Sequence, residues 1–264
     1  MIKLQNVTKA FRTDEIETTA LNSINLDVEK GEFVAVMGPS GCGKSTLLNI
    51  LGMIDNVTEG SYFFNGENVA GYSERQLSTV RKLNLGFIFQ SFNLIDELSV
   101  FENVELPLLY QGISAAERKQ RVDAVLEKIA IIQRRNHLPQ QLSGGQQQRV
   151  AVARAVVSNP KLILADEPTG NLDPVTAQEI IDLLFRINDA GTCVVFSTHD
   201  HQIVKTFGQR VLVINNGKIE SDIQRRGPVD RNASLADNMY KSQKTSVANV
   251  PLMPNVPRRE NTHA

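Results

Sequence analysis

A glycine-rich stretch between a strand-like and a helix-like segment carries the strongest chemical signal in the sequence. The apolar run Phe33–Met37 is followed at once by Gly-Pro-Ser-Gly-Cys-Gly-Lys-Ser at 38–45, and a helix-like segment continues from Thr46. Glycines let backbone N–H groups approach phosphate oxygens, and a helix N-terminus adds a positive dipole end. This pattern predicts an ATP site, with Lys44 at the β- and γ-phosphates and the Ser45 hydroxyl on Mg²⁺.

Successive backbone N–H groups of this loop are expected to point into one concavity and bind the phosphates. Cys42 is interpreted as a small filler side chain that faces away from the nucleotide, and not as a catalytic thiol. A turn-forming glycine loop without a ligand is the alternative interpretation, and the flanking strand and helix weigh against it. The predicted nucleotide-binding residues of the loop are Gly38, Pro39, Ser40, Gly41, Cys42, Gly43, Lys44, Ser45 and Thr46.

Two adjacent carboxylates close a second strand-like segment. The apolar run that begins at Lys161 ends in Asp166 and Glu167, and the carboxyl ends of parallel strands face the ligand crevice. Asp166 is predicted to hold Mg²⁺ through a water, and Glu167 to act as the general base on the attacking water. A pair of helix-capping acids is the alternative, and the phosphate loop upstream weighs against it.

A third apolar run, which begins at Cys193, ends at His199. A lone histidine is more often structural than functional. This histidine, however, follows a strand predicted to lie parallel to the other two. Its side chain is therefore expected to reach the γ-phosphate.

Composition and charge limit the classes of function. The chain has 264 residues, a net charge of −1 and 41% hydrophobic residues, which is typical of a soluble globular protein and gives no reason to expect a nucleic-acid partner. The two cysteines form no CxxC pair, so neither a disulfide framework nor a zinc site is expected. The sequence shows no signal-peptide pattern and no apolar run near the ~18 residues of a membrane span. A cytoplasmic chain is expected, and any work at a membrane would need a separate spanning subunit.

Two kinds of apolar pattern predict two kinds of sheet. Short alternating stretches near the N-terminus favour antiparallel strands with one wet face, whereas continuous apolar runs favour parallel strands buried on both faces. Helical segments lie between the continuous runs, and residues 92–157 read as entirely helical. We therefore predict an α/β fold: a P-loop NTPase core with a mostly parallel sheet, an N-terminal antiparallel β subdomain and an inserted α-helical subdomain.

Helix starts are predicted from capping residues. Capping boxes are expected at Ser114–Glu117 and at Ser73–Gln76, and Asp173 before a proline is expected to begin a helix. The helix after the glycines at 144–145 is expected over Gln147–Val157.

The last segment, residues 223–264, differs from the rest of the chain. Apolar periodicity ends there, and seven Lys or Arg residues stand against three acidic ones. We predict a folded domain over 1–222 and a polar, disordered tail over 223–264. A solvated tail is the favoured interpretation, and electrostatic contact with a membrane surface is the alternative.

One further motif points to a family. Leu142-Ser-Gly-Gly-Gln146, followed by Gln-Gln-Arg-Val-Ala-Val-Ala-Arg, lies between the two nucleotide motifs. On this motif and those around it the chain resembles the ATP-binding subunits of ABC transporters over about residues 1–221. The other matching motifs, in chain order, are Phe11 where the family places an aromatic residue against adenine, the Walker A loop, Gln90 of a Q-loop, the Walker B Asp166-Glu167, the D-loop Asn171-Leu-Asp173, and His199 of an H-loop.

The resemblance implies a mechanism shared between two chains. In the family two copies pair head to tail, and the LSGGQ segment of one copy closes over the ATP bound to the other. It implies nucleotide contacts from Phe11, Asp173 and the LSGGQ residues Ser143, Gly144, Gly145 and Gln146. It also implies catalytic roles for Glu167, His199 and Gln90, and Mg²⁺ ligation by Ser45, Gln90 and Asp166. ATP binding would favour the closed dimer, and hydrolysis would release it.

Finer similarity places the chain near the LolD/MacB group, to which FtsE is close. The segments that carry it are Gly86–Ile95, Phe101–Leu108 and Ala165–Asp173. In that group the ATPase works at the cytoplasmic face of the inner membrane, held by a separate permease. The resemblance implies that Leu94–Leu109 forms part of the surface that receives the permease, while core packing is the other interpretation of its apolar residues.

Several functions fit this resemblance. The first is the ATPase subunit of an ABC export or mechanotransmission complex. The alternative is an FtsE-like regulatory ATPase that controls an extracytoplasmic hydrolase without transport. A soluble ABC protein of translation or repair is disfavoured, because the chain has one nucleotide domain and no sustained heptads. An importer is disfavoured because the tail is too polar for a regulatory domain.

Overall fold

The computed structural model describes residues 1–12, 17–207 and 210–224, with the backbone alone at 205–207. The strands of the described part are β1 (Ile2–Arg12), β2 (Glu17–Val28), β3 (Phe33–Met37), β4 (Glu59–Phe64), β5 (Glu67–Asn68), β6 (Leu85–Phe89), β7 (Leu162–Asp166), β8 (Cys193–Ser197), β9 (Arg210–Asn215) and β10 (Lys218–Ile223). Its helices are α1 (Lys44–Leu51), α2 (Glu74–Asn84), α3 (Val100–Tyr110), α4 (Ala115–Lys128), α5 (Gly144–Val156), α6 (Pro174–Asp189) and α7 (His201–Phe207).

The continuous apolar runs form a parallel sheet, as the sequence predicts. Its strand order is β10-β9-β3-β8-β7-β6, and only β10 pairs antiparallel, with β9. Alternate residues of β3 enter two different cores: Ala35 packs with the helices on one face, and Val34 and Val36 pack on the other. A strand buried on both faces needs apolar residues at every position.

The alternating N-terminal stretches form a separate antiparallel sheet of order β2-β1-β4-β5. Ile2 pairs with Val28 and Leu4 with Leu26, and all four side chains are buried. They pack in one core with the apolar face of α1. The predicted antiparallel β subdomain is confirmed.

The chain between β6 and β7 folds into α3, α4 and α5, with short 3₁₀ turns at Ile132–Arg134 and Pro139–Gln141. Val104 of α3, Val122 of α4 and Val150 of α5 are fully buried in one core. An ion pair of 2.7 Å between Arg118 Nε and Glu105 Oε1 also joins α3 to α4. The inserted helical subdomain of the predicted fold is therefore present.

The helix starts differ from expectation in three places. The box at Ser73 is complete, but at Ser114 only one half forms, in which the Ser114 hydroxyl accepts from the Glu117 N–H at 3.4 Å. Complete boxes that were not predicted occur at Ser99–Glu102 and at Ser143–Gln146. Because Ser143 caps it, α5 begins at Gly144 rather than at Gln147.

Strand β10 ends at Ile223, one residue beyond the predicted domain boundary at 222. The remainder of the predicted tail, from residue 225, lies outside the described residues. Within the described ranges, no helix has both the length and the hydropathy needed to cross a membrane.

Candidate active site

The phosphate loop joins β3 to α1 with a backbone that only glycine accommodates easily. Gly38 has φ 154° and Gly43 has φ 110°. A methyl group on Gly38 would overlap the backbone carbonyl of Ile214, and one on Gly43 would lie 2.7 Å from the carbonyl oxygen of Ala20. The loop thus packs tightly against its neighbours, and α1 begins directly after it at Lys44.

Lys44 is buried, and its ammonium group is held by the loop itself. Its Nζ donates to the carbonyl oxygens of Gly38 at 3.0 Å and Pro39 at 3.1 Å, and lies 3.9 Å from Glu167 Oε1. Ser45, one residue on, is exposed at the start of α1. The Cys42 side chain is buried, in keeping with a filler role.

The two carboxylates lie where β7 ends, beside the end of β8. Ser197 Oγ donates to Asp166 Oδ1 at 2.6 Å and accepts from the Glu167 N–H at 2.9 Å. Glu167 adopts a left-handed backbone with φ 46°. Glu167 Oε2 lies 3.4 Å from His199 Nδ1. The site therefore brings together Lys44, Asp166, Glu167 and His199.

Gln90 follows β6 and meets the D-loop. Its Nε2 donates to Asn171 Oδ1 at 3.2 Å, and Asn171 Nδ2 donates to the Gln90 carbonyl at 3.1 Å. A methyl on Gly170 would lie 2.7 Å from Gln90 Nε2, so the glycine makes this approach possible. The Gln90 amide is thus held beside the segment that follows Glu167.

The LSGGQ segment forms the start of α5. The Ser143 hydroxyl accepts from the Gln146 N–H at 3.3 Å, and Gln146 Oε1 accepts from the Ser143 N–H at 3.1 Å. Gly144 and Gly145 form the first turn, and N–H groups at the start of a helix can bind an anion. A methyl on Gly145 would overlap the Thr176 side chain of α6. The structure places these residues on α5, against the start of α6, and gives no contact between them and the phosphate loop of the same chain.

Asp173 caps α6. Its Oδ1 accepts from the N–H groups of Val175 and Thr176, each at 3.1 Å. Hydrogen bonds from Thr176 and the backbone lower the pKa of this carboxyl. Asp173 thus remains ionised and points at a helix N-terminus.

Phe11 lies near the end of β1 with 44% of its surface exposed, and Lys9 Nζ lies 4.8 Å from its ring centroid. An exposed ring on a rigid strand suits stacking against a base.

Three residues whose hydrogen bonds connect different segments of the site were not predicted from the sequence. The first is Ser197, whose role depends on the register of β8 against β7. The second is Gln148, which is fully buried and donates to the Pro168 carbonyl at 2.6 Å. The third is Arg154, which donates to the carbonyls of Phe92, at 2.8 Å, and Asn93. A polar residue among the apolar positions of a strand or helix is a signal that could have singled out each residue, but not its partner.

The chemistry of the predicted metal ligands suits Mg²⁺. Ser45, Gln90 and Asp166 offer hydroxyl, amide and carboxylate oxygens, the donor type that Mg²⁺ prefers. Ser197 orients the Asp166 carboxylate, and Asn171 engages the Gln90 nitrogen, which leaves the amide oxygen as ligand atom. With only one carboxylate, the set matches sites in which Mg²⁺ also binds substrate phosphates.

Comparison with known proteins agrees with this geometry. Residues 21–170 match the family model described as ABC transporter. The ABC transporter ATP-binding protein YknY of Bacillus subtilis is 45% identical over 83% of this chain and 95% of its own length. The macrolide export ATP-binding/permease protein MacB of Azoarcus is 42% identical over 90% of this chain, which spans 38% of MacB.

A solved structure shows the same fold. An ATP-binding cassette in a dimeric post-hydrolysis state, bound to ADP and Pi, superposes with a TM-score of 0.80 at 44% identity. The superposition covers 86% of this chain and 100% of that one. This chain belongs to the ABC transporter family, as one of its ATP-binding proteins.

Proposed function

We propose that this protein is the Mg·ATP-hydrolysing subunit of an ABC export or mechanotransmission complex, which dimerises around ATP and drives a separate transmembrane permease. The observation that carries the proposal is the convergence of the phosphate loop, Asp166, Glu167 and His199 at one edge of the parallel sheet. Ligands of open α/β sheets bind at that edge.

Each group at that edge has a role in phosphoryl transfer to water. The loop N–H groups and Lys44 bind the phosphates, and Phe11 stacks on the adenine. Ser45, Gln90 and Asp166 would hold Mg²⁺, which would supply positive charge to the bound phosphates. Glu167 accepts the proton of the attacking water, and His199 holds the γ-phosphate beside it. The γ-phosphoryl group passes to the water oxygen, and ADP leaves.

Half of each site is expected to come from a second copy. The first turn of α5 offers an anion site of its own, on a different helix from the phosphate loop. One nucleotide cannot easily use both anion sites of one chain, but two chains arranged head to tail bring them together. The dimeric ADP- and Pi-bound cassette supports this arrangement for the present chain.

The test is Glu167→Gln, which keeps the shape of the side chain but removes the base. Turnover is expected to fall about 10²- to 10⁴-fold, and an ATP-dependent dimer is expected to accumulate on size exclusion with light scattering. Glu117→Gln on α4, far along the chain from these motifs, is the matched control and should leave both unchanged. Normal turnover in Glu167→Gln would refute the assignment of the base.

A groove beside α3 of the helical subdomain supports the proposal that the protein binds a membrane partner. It has a volume of about 730 Å³, and Phe87 on one side and Leu106, Pro107 and Tyr110 of α3 on the other line it. Tyr110 is 70% exposed. Of the predicted surface Leu94–Leu109, residues 106 and 107 line the groove, whereas Leu94 packs against the core. We assign the groove to a helix of the permease, which would hold the protein at the cytoplasmic face of the membrane.

Substitution of Tyr110 tests this assignment. Tyr110→Asp places a charge in the groove and should abolish copurification with the membrane partner while leaving ATP hydrolysis by the isolated protein unchanged. Ile223→Asp, at an exposed position of β10, is the control. Retained copurification would contradict the assignment. The extracytoplasmic domain of the captured permease separates a transport complex from the alternative, a regulatory ATPase that controls a hydrolase.

A further inference from the structure

The hydroxyl group of Ser197 lies between the two acids of the active site. β8 pairs with β7 in parallel register, with Phe196 opposite Ala165, so Ser197 comes next to the end of β7. The Ser197 side chain is fully buried at the end of an otherwise apolar strand. A buried hydroxyl is unfavourable unless it is hydrogen-bonded, so its contacts account for its presence.

Both bonding functions of this hydroxyl are directed at the acids. It donates its one proton to Asp166 Oδ1 at 2.6 Å, a length typical of a bond to an ionised carboxylate. It accepts the N–H of Glu167 at 2.9 Å. One side chain therefore fixes the plane of the Asp166 carboxylate and the backbone position of Glu167.

The backbone of Glu167 needs such support. Its φ of 46° lies in the left-handed region, which is unfavourable for a residue with a side chain. This conformation brings the Glu167 carboxylate 3.9 Å from Lys44 Nζ and 3.4 Å from His199 Nδ1. The Ser197 bond to the Glu167 N–H therefore helps to keep the carboxylate directed into the site.

We propose that Ser197 is a positioning residue that sets the metal-holding carboxylate and the general base relative to each other. This proposal rests on the proposed function. The Ser197 hydroxyl makes its hydrogen bonds within the protein, to Asp166 and Glu167. It acts through Asp166 on the Mg²⁺ contribution to nucleotide binding, and through Glu167 on the rate of hydrolysis. A hydroxyl with a merely structural role would affect the stability of the fold and neither of these quantities.

The experiment compares Ser197→Ala with the wild type in two measurements. Calorimetry gives the affinity for a non-hydrolysable ATP analogue with Mg²⁺ and with EDTA, and steady-state kinetics gives kcat and KM. For Ser197→Ala, the affinity gain due to Mg²⁺ should shrink about tenfold and kcat should fall about tenfold, as expected for loss of a hydrogen bond to a charged group. The affinity in EDTA should stay within about twofold of the wild type.

Two further variants of Ser197 separate the hydroxyl from its volume. Ser197→Thr keeps the hydroxyl and should restore both quantities to within about threefold of the wild type. Ser197→Cys keeps the size but offers only a weak donor, and should show losses in the same direction as Ser197→Ala. It also provides the comparison if the alanine variant does not fold.

Tyr62→Phe is the matched control for the loss of a buried hydroxyl. The Tyr62 hydroxyl is buried and donates to the Leu51 carbonyl at 2.7 Å, away from the acids. This variant should lower the melting temperature but leave kcat and the Mg²⁺ effect unchanged. A wild-type Mg²⁺ effect and kcat in Ser197→Ala and Ser197→Cys would overturn the positioning role. Failure of the wild type to hydrolyse ATP would instead overturn the proposed function.

Discussion

At the scale of residues, the side chains predicted to bind the γ-phosphate are already held in place by contacts within the protein, and a bound phosphate would have to replace these contacts. Lys44 donates to two carbonyls of its own loop and faces Glu167, which in turn faces His199. We expect the γ-phosphate to bind Lys44 and His199 in place of Glu167. Glu167 would then lose its contacts with both side chains and become available to the attacking water. Nucleotide binding and activation of the base are thereby coupled through the same side chains.

The glycines of the loop lead to a graded prediction. Gly41 has φ 77°, and a methyl group there would project into open space, whereas at Gly38 a methyl group would overlap the Ile214 carbonyl of β9. Gly41→Ala should cost about 1–2 kcal/mol of stability, from its backbone conformation alone. Gly38→Ala should cost about 1–3 kcal/mol more, because a backbone carbonyl cannot move aside easily. Urea unfolding without nucleotide measures both. Equal losses in the two variants would contradict the packing argument.

At the scale of elements, caps decide where the helices of the site begin. Ser143 and Asp173 start α5 and α6, and Ser99 starts α3 with Glu102 in a complete capping box. Glu102 Oε2 accepts from the Ser99 hydroxyl at 2.6 Å and from the Ser99 N–H at 2.8 Å. Both bonds lower the pKa of the Glu102 carboxyl, and the bond from the Ser99 hydroxyl has the larger effect.

The box at α3 predicts a pH dependence of stability. Because the pKa of Glu102 is lower in the folded state, its contribution is present above its unfolded pKa and is lost as pH falls through its folded pKa. Between neutral pH and the acid range, Glu102→Gln should therefore lose less stability than the wild type. Urea midpoints across that range provide the measurement.

The control for this prediction removes the main donor. In a Ser99→Ala background the carboxylate keeps only the backbone N–H, so Glu102→Gln should change the pH dependence less than it does with Ser99 present. Equal pH dependence in the wild type and Glu102→Gln would show that the box does not hold the carboxylate.

Features of the site that depend on neighbouring residues in the chain could be predicted from the sequence, whereas contacts between distant residues could not. The strand–loop–helix of Lys44 and the acid pair after β7 are local patterns, and the structure places both at the sheet edge as expected. The bond between Ser197 and Asp166 joins residues 31 apart in the chain and depends on a strand register that no local pattern specifies. The contact of Arg154 with the Phe92 carbonyl depends in the same way on the packing of α5.

At the scale of the whole molecule, the helical subdomain and the sheet meet through polar links. Arg154 of α5 holds the Phe92 carbonyl just beyond Gln90, and Gln148 holds the Pro168 carbonyl just beyond Glu167. Burial lowers the pKa of Arg154, yet its two carbonyl partners keep it in place. A movement of α5 against a second copy would therefore shift the segments that follow Gln90 and Glu167. It would also reach the groove beside α3, because Arg154 lines that groove.

The edge of the main sheet predicts where the chain can be shortened. Arg210 of β9 pairs with Asp222 of β10 at 2.6 Å and with Glu32 at 2.8 Å, so β10 is fastened to the sheet up to its end at Ile223. The sequence beyond it has no apolar pattern that could bury a surface. A chain ending at Ile223 should therefore keep its ATPase activity and melt within about 2 °C of the full chain, a difference below about 1 kcal/mol. A chain ending at Gly217 also lacks β10 and the Asp222 partner, and should melt at least about 5 °C lower. Thermal melts and ATPase assays on both chains test this prediction. A large fall in melting temperature for the chain that ends at Ile223 would mean that the final segment stabilises the fold.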